Sequence, residues 1–226
     1  MSNLDPMAFL RKLTVLATWK RLDPPGSSPG TLVTDTALPA PVVSLLSYDE
    51  EEVVDQVDIP LSEAMAEIGK RRVAWIDIRG LGNVEVLKEL GQSMDLHPLE
   101  LEDVLDFSQR IKIQVHDNYS FFIGKHIQFK SELIVQQISV FFTSQAVVTL
   151  TPVDSSFLDP VRARIRKKTG QIRRASSEYL TYAIVDTLVD SAFPVIDRMG
   201  DLVDDMELEV FGQSRGEDDV ATTIRE

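Results

Sequence analysis

His97-Pro98-Leu99-Glu100-Leu101-Glu102-Asp103-Val104-Leu105 stands where the chain changes from alternating strand and helix to a run of consecutive strands. Pro98 suits the first turn of a helix, where its missing N–H costs no intrahelical bond. Such a helix, ending near Phe107, presents the adjacent carboxylates Glu102 and Asp103 beside the apolar residues Leu99, Leu101 and Leu105.

Working back from it, Val42 to Tyr48 and Val53 to Val57 read as strands around the acidic turn Asp49-Glu50-Glu51. Leu61 to Lys70 reads as a short helix with Leu61, Met65 and Ile68 on one face. Arg72 to Arg79 has the near-continuous apolar character of a strand buried on both faces, and Gly80 and Gly82 end it. Asn83 caps a helix through about Met94.

Working forward, Ile111 to His116, Tyr119 to Phe129, Leu133 to Thr143 and Ala146 to Leu150 read as strands. The breaks between them are short, so these strands pair as antiparallel hairpins. Asp159 followed by Pro160 is an N-cap and first-turn pair for a helix to Thr169, which Gly170 stops.

The fold class is therefore α/β: a mixed, partly antiparallel central sheet flanked by helices, an αβα sandwich, with a long C-terminal helix. Residues 1–40 form an arm or linker, 41–170 the sandwich, and 171–226 a long acidic helical region. Asp23 to Pro41 is rich in Pro, Gly, Ser and Thr, so little rigid structure is expected before residue 40.

The last helix runs from roughly Ser176 to Phe211. Val185, Leu188, Ala192, Val195, Met199, Leu202 and Met206 recur by threes and fours as a seam, widened by Val189, Ile196, Val203 and Val210. Pro194 removes one hydrogen bond from it and favours a kink. After Gly212 the polar run Gln213 to Asp219 breaks the pattern.

The chain has 226 residues, 43% of them hydrophobic, enough for a substantial core. Its formal charge of −13 makes nucleic acid a poor partner, because phosphate binding needs a basic face. It has no cysteine, which excludes disulfides and thiolate metal sites. No window approaches the roughly 20 apolar residues of a membrane helix, and Arg11 and Lys12 interrupt any secretory signal.

No nucleophile elbow, phosphate-binding glycine loop or HExxH motif is present. Gly80-Leu81-Gly82 reads as a tight turn. His116 and His126 lie on neighbouring strands, and a zinc site built on that pair would need further ligands the sequence does not mark. Arg162, Arg164, Arg166, Lys167, Lys168, Arg173 and Arg174 read as a solvated basic face paired with acidic helices.

What remains is oxygen chemistry. Glu102 and Asp103 on one helix, with Asp186 and Asp190 one turn apart on another, form a candidate site for a hard divalent cation. Two carboxylates bind such an ion weakly, since Mg²⁺ or Ca²⁺ takes about six or more oxygens, waters included. Completion by another subunit would tighten the site and couple the ion to assembly. Without an ion, the clustered carboxylates repel one another.

Several stretches in register resemble the CorA family of divalent-cation transporters. They are Pro24-Pro25-Gly26 with Pro29-Gly30-Thr31-Leu32-Val33, Trp75-Ile76-Asp77-Ile78, the His97 to Leu105 segment, Gln109-Arg110-x-Lys112, Asn118-Tyr119, Asp159-Pro160-Val161-Arg162-x-Arg164-Ile165-Arg166, and Tyr179-Leu180-x-Tyr182 with Asp186, Leu188, Val189 and Asp190. Ile111 stands where many relatives have proline, and Pro194 is unusual.

The resemblance implies the cytosolic regulatory domain of a homopentameric Mg²⁺/Co²⁺ channel, at the cytoplasmic face of the inner membrane. The family's Gly-Met-Asn pore motif and membrane helices are not in these residues, so contact with the membrane would come only through segments outside them. The resemblance makes Glu102, Asp103 and Asp186 one side of an inter-subunit Mg²⁺ site, its partner carboxylate lying on a stalk helix beyond Glu226. High Mg²⁺ would then hold a closed ring and low Mg²⁺ would loosen it, a population shift set by differential affinity. On its own the chain is expected to be monomeric or weakly associated, and not an enzyme. Two other readings stay open: the cytosolic domain of a zinc-transporting relative, and a soluble oligomeric interaction module with no transport role.

Overall fold

The computed structural model describes Gly26, residues 28–129 and residues 133–223, with side chains through Glu207. The elements in chain order are β1 (Val42–Tyr48), β2 (Val53–Val57), α1 (Leu61–Met65), β3 (Val73–Arg79), α2 (Glu85–Met94), α3 (Pro98–Leu105), β4 (Lys112–Val115), β5 (Ser120–Phe129), β6 (Leu133–Phe142), β7 (Ala146–Thr151), α4 (Asp159–Arg166) and α5 (Ser177–Thr223). A single 3₁₀ turn, Ser156–Leu158, leads into α4.

The strands form one seven-stranded sheet in the order β2-β1-β3-β7-β6-β5-β4. Only β3 and β7 run parallel, and every other neighbouring pair is antiparallel. The mixed sheet expected from the hairpin spacings is thus the observed one. β3 and β7 are buried along their length because each lies inside the sheet with helices over both faces.

Two cores flank the sheet. The first packs Leu61 and Ala64 of α1, Leu87 and Leu90 of α2, and Leu101, Val104 and Leu105 of α3 on Ile76, Ile78, Phe121, Ile123 and Leu150. The second packs Val161 and Ile165 of α4, and Leu180, Ala183, Ile184 and Leu188 of α5, on Trp75, Ile138, Val140 and Val147. Alternation of side chains along each strand divides residues between the two. At Gly124 an added Cβ would press within 2.8 Å of Leu188 and Phe122, so glycine there admits α5 close to β5.

Several expectations are corrected. The stretch from Ser28 to Pro41 is tied down: Leu32 and Leu38 pack on the first core, and the Gly82 N–H bonds the Pro39 carbonyl at 2.9 Å. Gly80 holds a positive φ of 87°, and a Cβ there would collide with the Ala40 carbonyl, so the tight turn is made by its backbone approach to this arm. Met1 to Pro25 lies outside the described residues.

Asp159 is not an N-cap. The 3₁₀ turn makes Leu158 the cap residue, and the Asp159 carboxylate instead takes Arg162 at 2.7 Å. The α5 backbone continues to Thr223, through the polar run after Gly212.

The seam of α5 also divides. Leu188, Val195 and Leu202 are buried, whereas Val189, Ile196 and Val203 are each more than half exposed. Within Ser177–Glu207 one 18-residue window reaches mean hydropathy 1.2, long and apolar enough by composition alone to cross a membrane, a test that the core helix of a globular domain also meets; this amends the expectation that no window comes close. One side of that helix belongs to the second core, and Asp186, Asp190, Asp197 and Asp201 punctuate the rest.

The basic cluster is neither fully solvated nor paired with acidic helices. Arg162 and Arg173 are buried. Arg162 reaches Asp77 of β3 at 2.7 Å, Arg173 donates to the Asp49 carbonyl at 2.7 Å, Arg166 pairs with Asp55 at 2.6 Å, and Arg174 pairs with Glu50 at 2.7 Å. Their partners come from β2, β3 and the β1–β2 turn, over 85 residues or more in the Arg162 and Arg166 pairs.

Candidate functional site

The acidic site is built on α3, and α3 is fixed at both ends. At its start His97 Nδ1 accepts the Leu99 N–H at 3.2 Å, and the His97 N–H donates to the Tyr119 hydroxyl at 3.0 Å. Pro98 occupies the first turn as expected. One turn on, Glu100 is buried and shared between His116 Nε2 at 2.7 Å and the Tyr119 hydroxyl at 2.6 Å. Burial and then the Glu100 carboxylate push the Tyr119 phenol up to about 12.

At the other end Gln137 of β6 donates to the Asp103 carbonyl at 3.0 Å. Its Oε1 accepts Lys125 Nζ at 2.8 Å, and the same ammonium donates to the Phe107 carbonyl at 2.9 Å. Burial holds the Lys125 ammonium below its ordinary value. Gln137 thereby binds one carbonyl in the last turn of α3, and Lys125 a carbonyl of the segment that follows it.

Between these anchors stand the two carboxylates the sequence singles out. Glu102 Oε2 accepts the Gly30 N–H at 2.7 Å, which ties the N-terminal arm to α3. Asp103 Oδ2 pairs with Lys112 Nζ at 2.6 Å. Lys112 lies opposite Ile123 in the β4–β5 ladder, so it points to the α3 side of the sheet. His97, Leu99, Glu100, Glu102, Asp103, Gln114 and His116 line a cleft of about 330 Å³.

Asp186 and Asp190 sit one turn apart on α5, and Asp186 Oδ1 accepts the Tyr182 hydroxyl at 3.5 Å. They are across the sheet from α3, since α3 belongs to the first core and α5 to the second. One copy of the chain therefore brings Glu102 to Asp103, and Asp186 to Asp190, but does not join the two pairs. Among the described residues no group of three or more His, Asp or Glu side chains is close enough to hold a metal ion.

The histidine pair fails as a zinc site. His116 faces Glu100 on the α3 side, while His126 is stacked on Phe157 at 4.1 Å on the α5 side. Sequence reasoning missed the buried network around Asp77. That carboxylate accepts Thr149 at 2.6 Å, Ser155 at 2.7 Å and Arg162 at 2.7 Å. Trp75 Nε1 donates to Thr149 at 3.0 Å, and the Arg162 guanidinium lies 5.3 Å from the Trp75 ring centre. The available signal was a single carboxylate inside an otherwise apolar strand.

The mixed seven-stranded sheet with flanking helices and a long C-terminal helix is the fold class read from the sequence. Residues 70–224 match the CorA-like Mg²⁺ transporter proteins, and the chain belongs to that family. It is 31% identical over 189 residues to the cobalt/magnesium transport protein CorA of Thermotoga maritima, covering 82% of this chain and 54% of that relative. The chain thus spans about half the length of the curated relative it matches.

Among solved structures, the soluble domain of CorA from Methanocaldococcus jannaschii superposes with a TM-score of 0.55 at 16% identity, covering 80% of this chain and 67% of that one. The cytoplasmic domain of ZntB from Vibrio parahaemolyticus gives 0.52 at 11% identity, covering 71% and 62%. At these identities the likeness is one of fold.

Proposed function

We propose that this chain is the cytosolic regulatory domain of a CorA-type divalent-cation transporter and senses Mg²⁺ between subunits. In this reading Glu102 and Asp103 of one copy face Asp186 and Asp190 of the next, instead of sharing one side with Asp186 as the resemblance implies, in a homopentamer at the cytoplasmic face of the membrane. Membrane contact and the pore belong to segments outside these residues.

One observation carries the reading: the two carboxylate pairs occupy opposite faces of a single sheet. A head-to-tail ring repeats one heterologous contact, so opposite faces of neighbouring copies meet. The donor set fits a hard cation, being all carboxylate oxygen. A cation is already accommodated there, because Asp103 holds the Lys112 ammonium at 2.6 Å. Glu102 and Asp103 also lie in the C-terminal half of α3, where the helix dipole favours positive charge.

In this scheme Mg²⁺ bridges subunits when abundant and favours the closed ring; when it is scarce, facing carboxylates repel and the ring loosens. Co²⁺ and other divalent ions are alternates on the same oxygens. The test is limited proteolysis of the full-length protein. Mg²⁺ slows cleavage, and Asp103→Ala with Asp186→Ala removes the protection. Equal protection in the double variant would rule these residues out as the sensor, and protection by Zn²⁺ alone would favour the zinc-transporting reading.

A further inference from the structure

Lys112 meets the acidic cleft through Asp103, and the proposed function gives its ammonium no part in the response to metal. Its ammonium lies 2.6 Å from Asp103 Oδ2, on the same carboxylate offered to the divalent ion. It reaches that point from β4, whose ladder with β5 fixes it opposite Ile123, facing α3. Asp103 is equally fixed, because Gln137 holds its carbonyl at 3.0 Å. Neither partner lies on a loose loop, so the contact is set by the packing of sheet and helix. Both side chains keep partial access to water, at 30% and 19% exposure, so the pair can open without burying a bare charge.

From this geometry we infer that Lys112 is a tethered counter-ion that occupies Asp103 in the absence of divalent metal and sets the concentration at which Mg²⁺ takes its place. The inference rests on the proposed function and adds regulation to the same site. Two cations cannot both sit within contact distance of Asp103 Oδ2 without strong repulsion. Mg²⁺ arriving there must move the ammonium aside or bind against it. A free monovalent ion carries no more charge than the ammonium it would displace, and it lacks the advantage of being attached to the protein. A divalent ion doubles the attraction. The tether therefore raises the Mg²⁺ threshold and discriminates against monovalent cations with no change to the oxygen ligands. With Lys112 on Asp103 when metal is scarce, the repulsion that loosens the ring comes from Glu102 facing Asp186 and Asp190.

The test is titration of MgCl₂ into the full-length protein, in which subunits can assemble the site, followed by calorimetry and by protection from limited proteolysis. Lys112→Met is expected to bind Mg²⁺ about tenfold more tightly than the parent, from loss of one competing charge at contact distance. Lys112→Gln should behave in the same direction, and stands in if the methionine variant does not fold. Lys112→Arg, which keeps the charge, should stay close to the parent. Asp103→Asn placed in the Lys112→Met background should abolish the gain.

If parent and Lys112→Met bind equally while Asp103→Asn abolishes binding in both, the inference is overturned and the proposed function stands. Weaker binding in Lys112→Met would also overturn it, making Lys112 a support of the site. If neither the full-length parent nor any variant shows Mg²⁺ binding or Mg²⁺-dependent protection, the inference and the metal-sensing reading fall together.

Discussion

Asp77 and Asp103 carry the same side chain and each meets a cation, yet the structure uses them in opposite ways. Asp77 is buried between β3 and α4, with Arg162, Thr149 and Ser155 filling its lone pairs. Asp103 lies at the edge of a cleft, partly hydrated, and holds one flexible lysine. The first arrangement is nearly closed: its hydrogen-bond donors are fixed and Asp77 is only 3% exposed. The second can exchange its partner. A carboxylate becomes structural or responsive according to how many fixed donors surround it and whether water can replace one of them.

The contrast breaks first at Arg162. Arg162→Met leaves the Asp77 carboxylate buried with two hydroxyls and only the more distant Arg79 guanidinium, at 3.6 Å, so a loss of about 3–5 kcal/mol is expected in chemical denaturation. A loss under about 1 kcal/mol would mean that Arg162 and Asp77 do not depend on each other in the fold, and the closed character of this region would be wrong.

The divided seam of α5 gives the next test. Leu188 is 6% exposed and packs in the second core, while its neighbour Val189 is 54% exposed. Leu188→Ala should cost about 2–5 kcal/mol by cavity formation. Val189→Ala should fall within about 0.5 kcal/mol. Similar losses at both positions would mean that the outer half of the seam is covered within the isolated chain.

These positions also mark the limits of the sequence. Strands of period two with short breaks, a proline opening α3 and an apolar strand at β3 were legible because each is a local pattern. The paired carboxylates were legible for the same reason, being neighbours or one turn apart. The two halves of the α5 seam were not separable, since Leu188 and Val189 are equally apolar and only the sheet decides which is covered. The basic cluster was misread because the partners of Arg162 and Arg166 lie 85 and 111 residues away. The tie between Gly30 and Glu102 spans 72 residues and left no mark in an arm that looked like linker.

Tyr119 sharpens the comparison within α3 itself. Its hydroxyl accepts the His97 N–H and donates to Glu100, so the start of the helix is a closed polar network while Asp103, further along, is open. Tyr119→Phe should cost about 1–3 kcal/mol, because Glu100 and the His97 N–H each lose a buried partner. The phenol's folded value is raised from 10.0 to about 12, so folding favours the protonated form. Its contribution is complete below pH 10.0 and is lost as pH rises through about 12. Tyr48, also raised by burial, adds alkaline loss of the same sign. The difference between parent and Tyr119→Phe should therefore shrink across pH 10 to 12. A constant difference there would show that the hydroxyl acts only as a hydrogen-bond bridge.

The smallest expected effect is at Asp103. Asp103→Asn in the metal-free chain removes the charge that holds Lys112, but the ammonium is already 30% exposed and water can take over its donors. The Gln137 bond to the Asp103 carbonyl does not depend on the side chain, so α3 keeps its anchor. The cost should be about 1 kcal/mol or less. Set beside the loss at Arg162, that small number is the physical requirement for a switchable site. A contact that contributed several kcal/mol to the fold could not be surrendered to a weakly bound ion without unfolding the helix that carries it. A large loss at Asp103→Asn would move this carboxylate into the class of Asp77 and leave the cleft without an exchangeable partner.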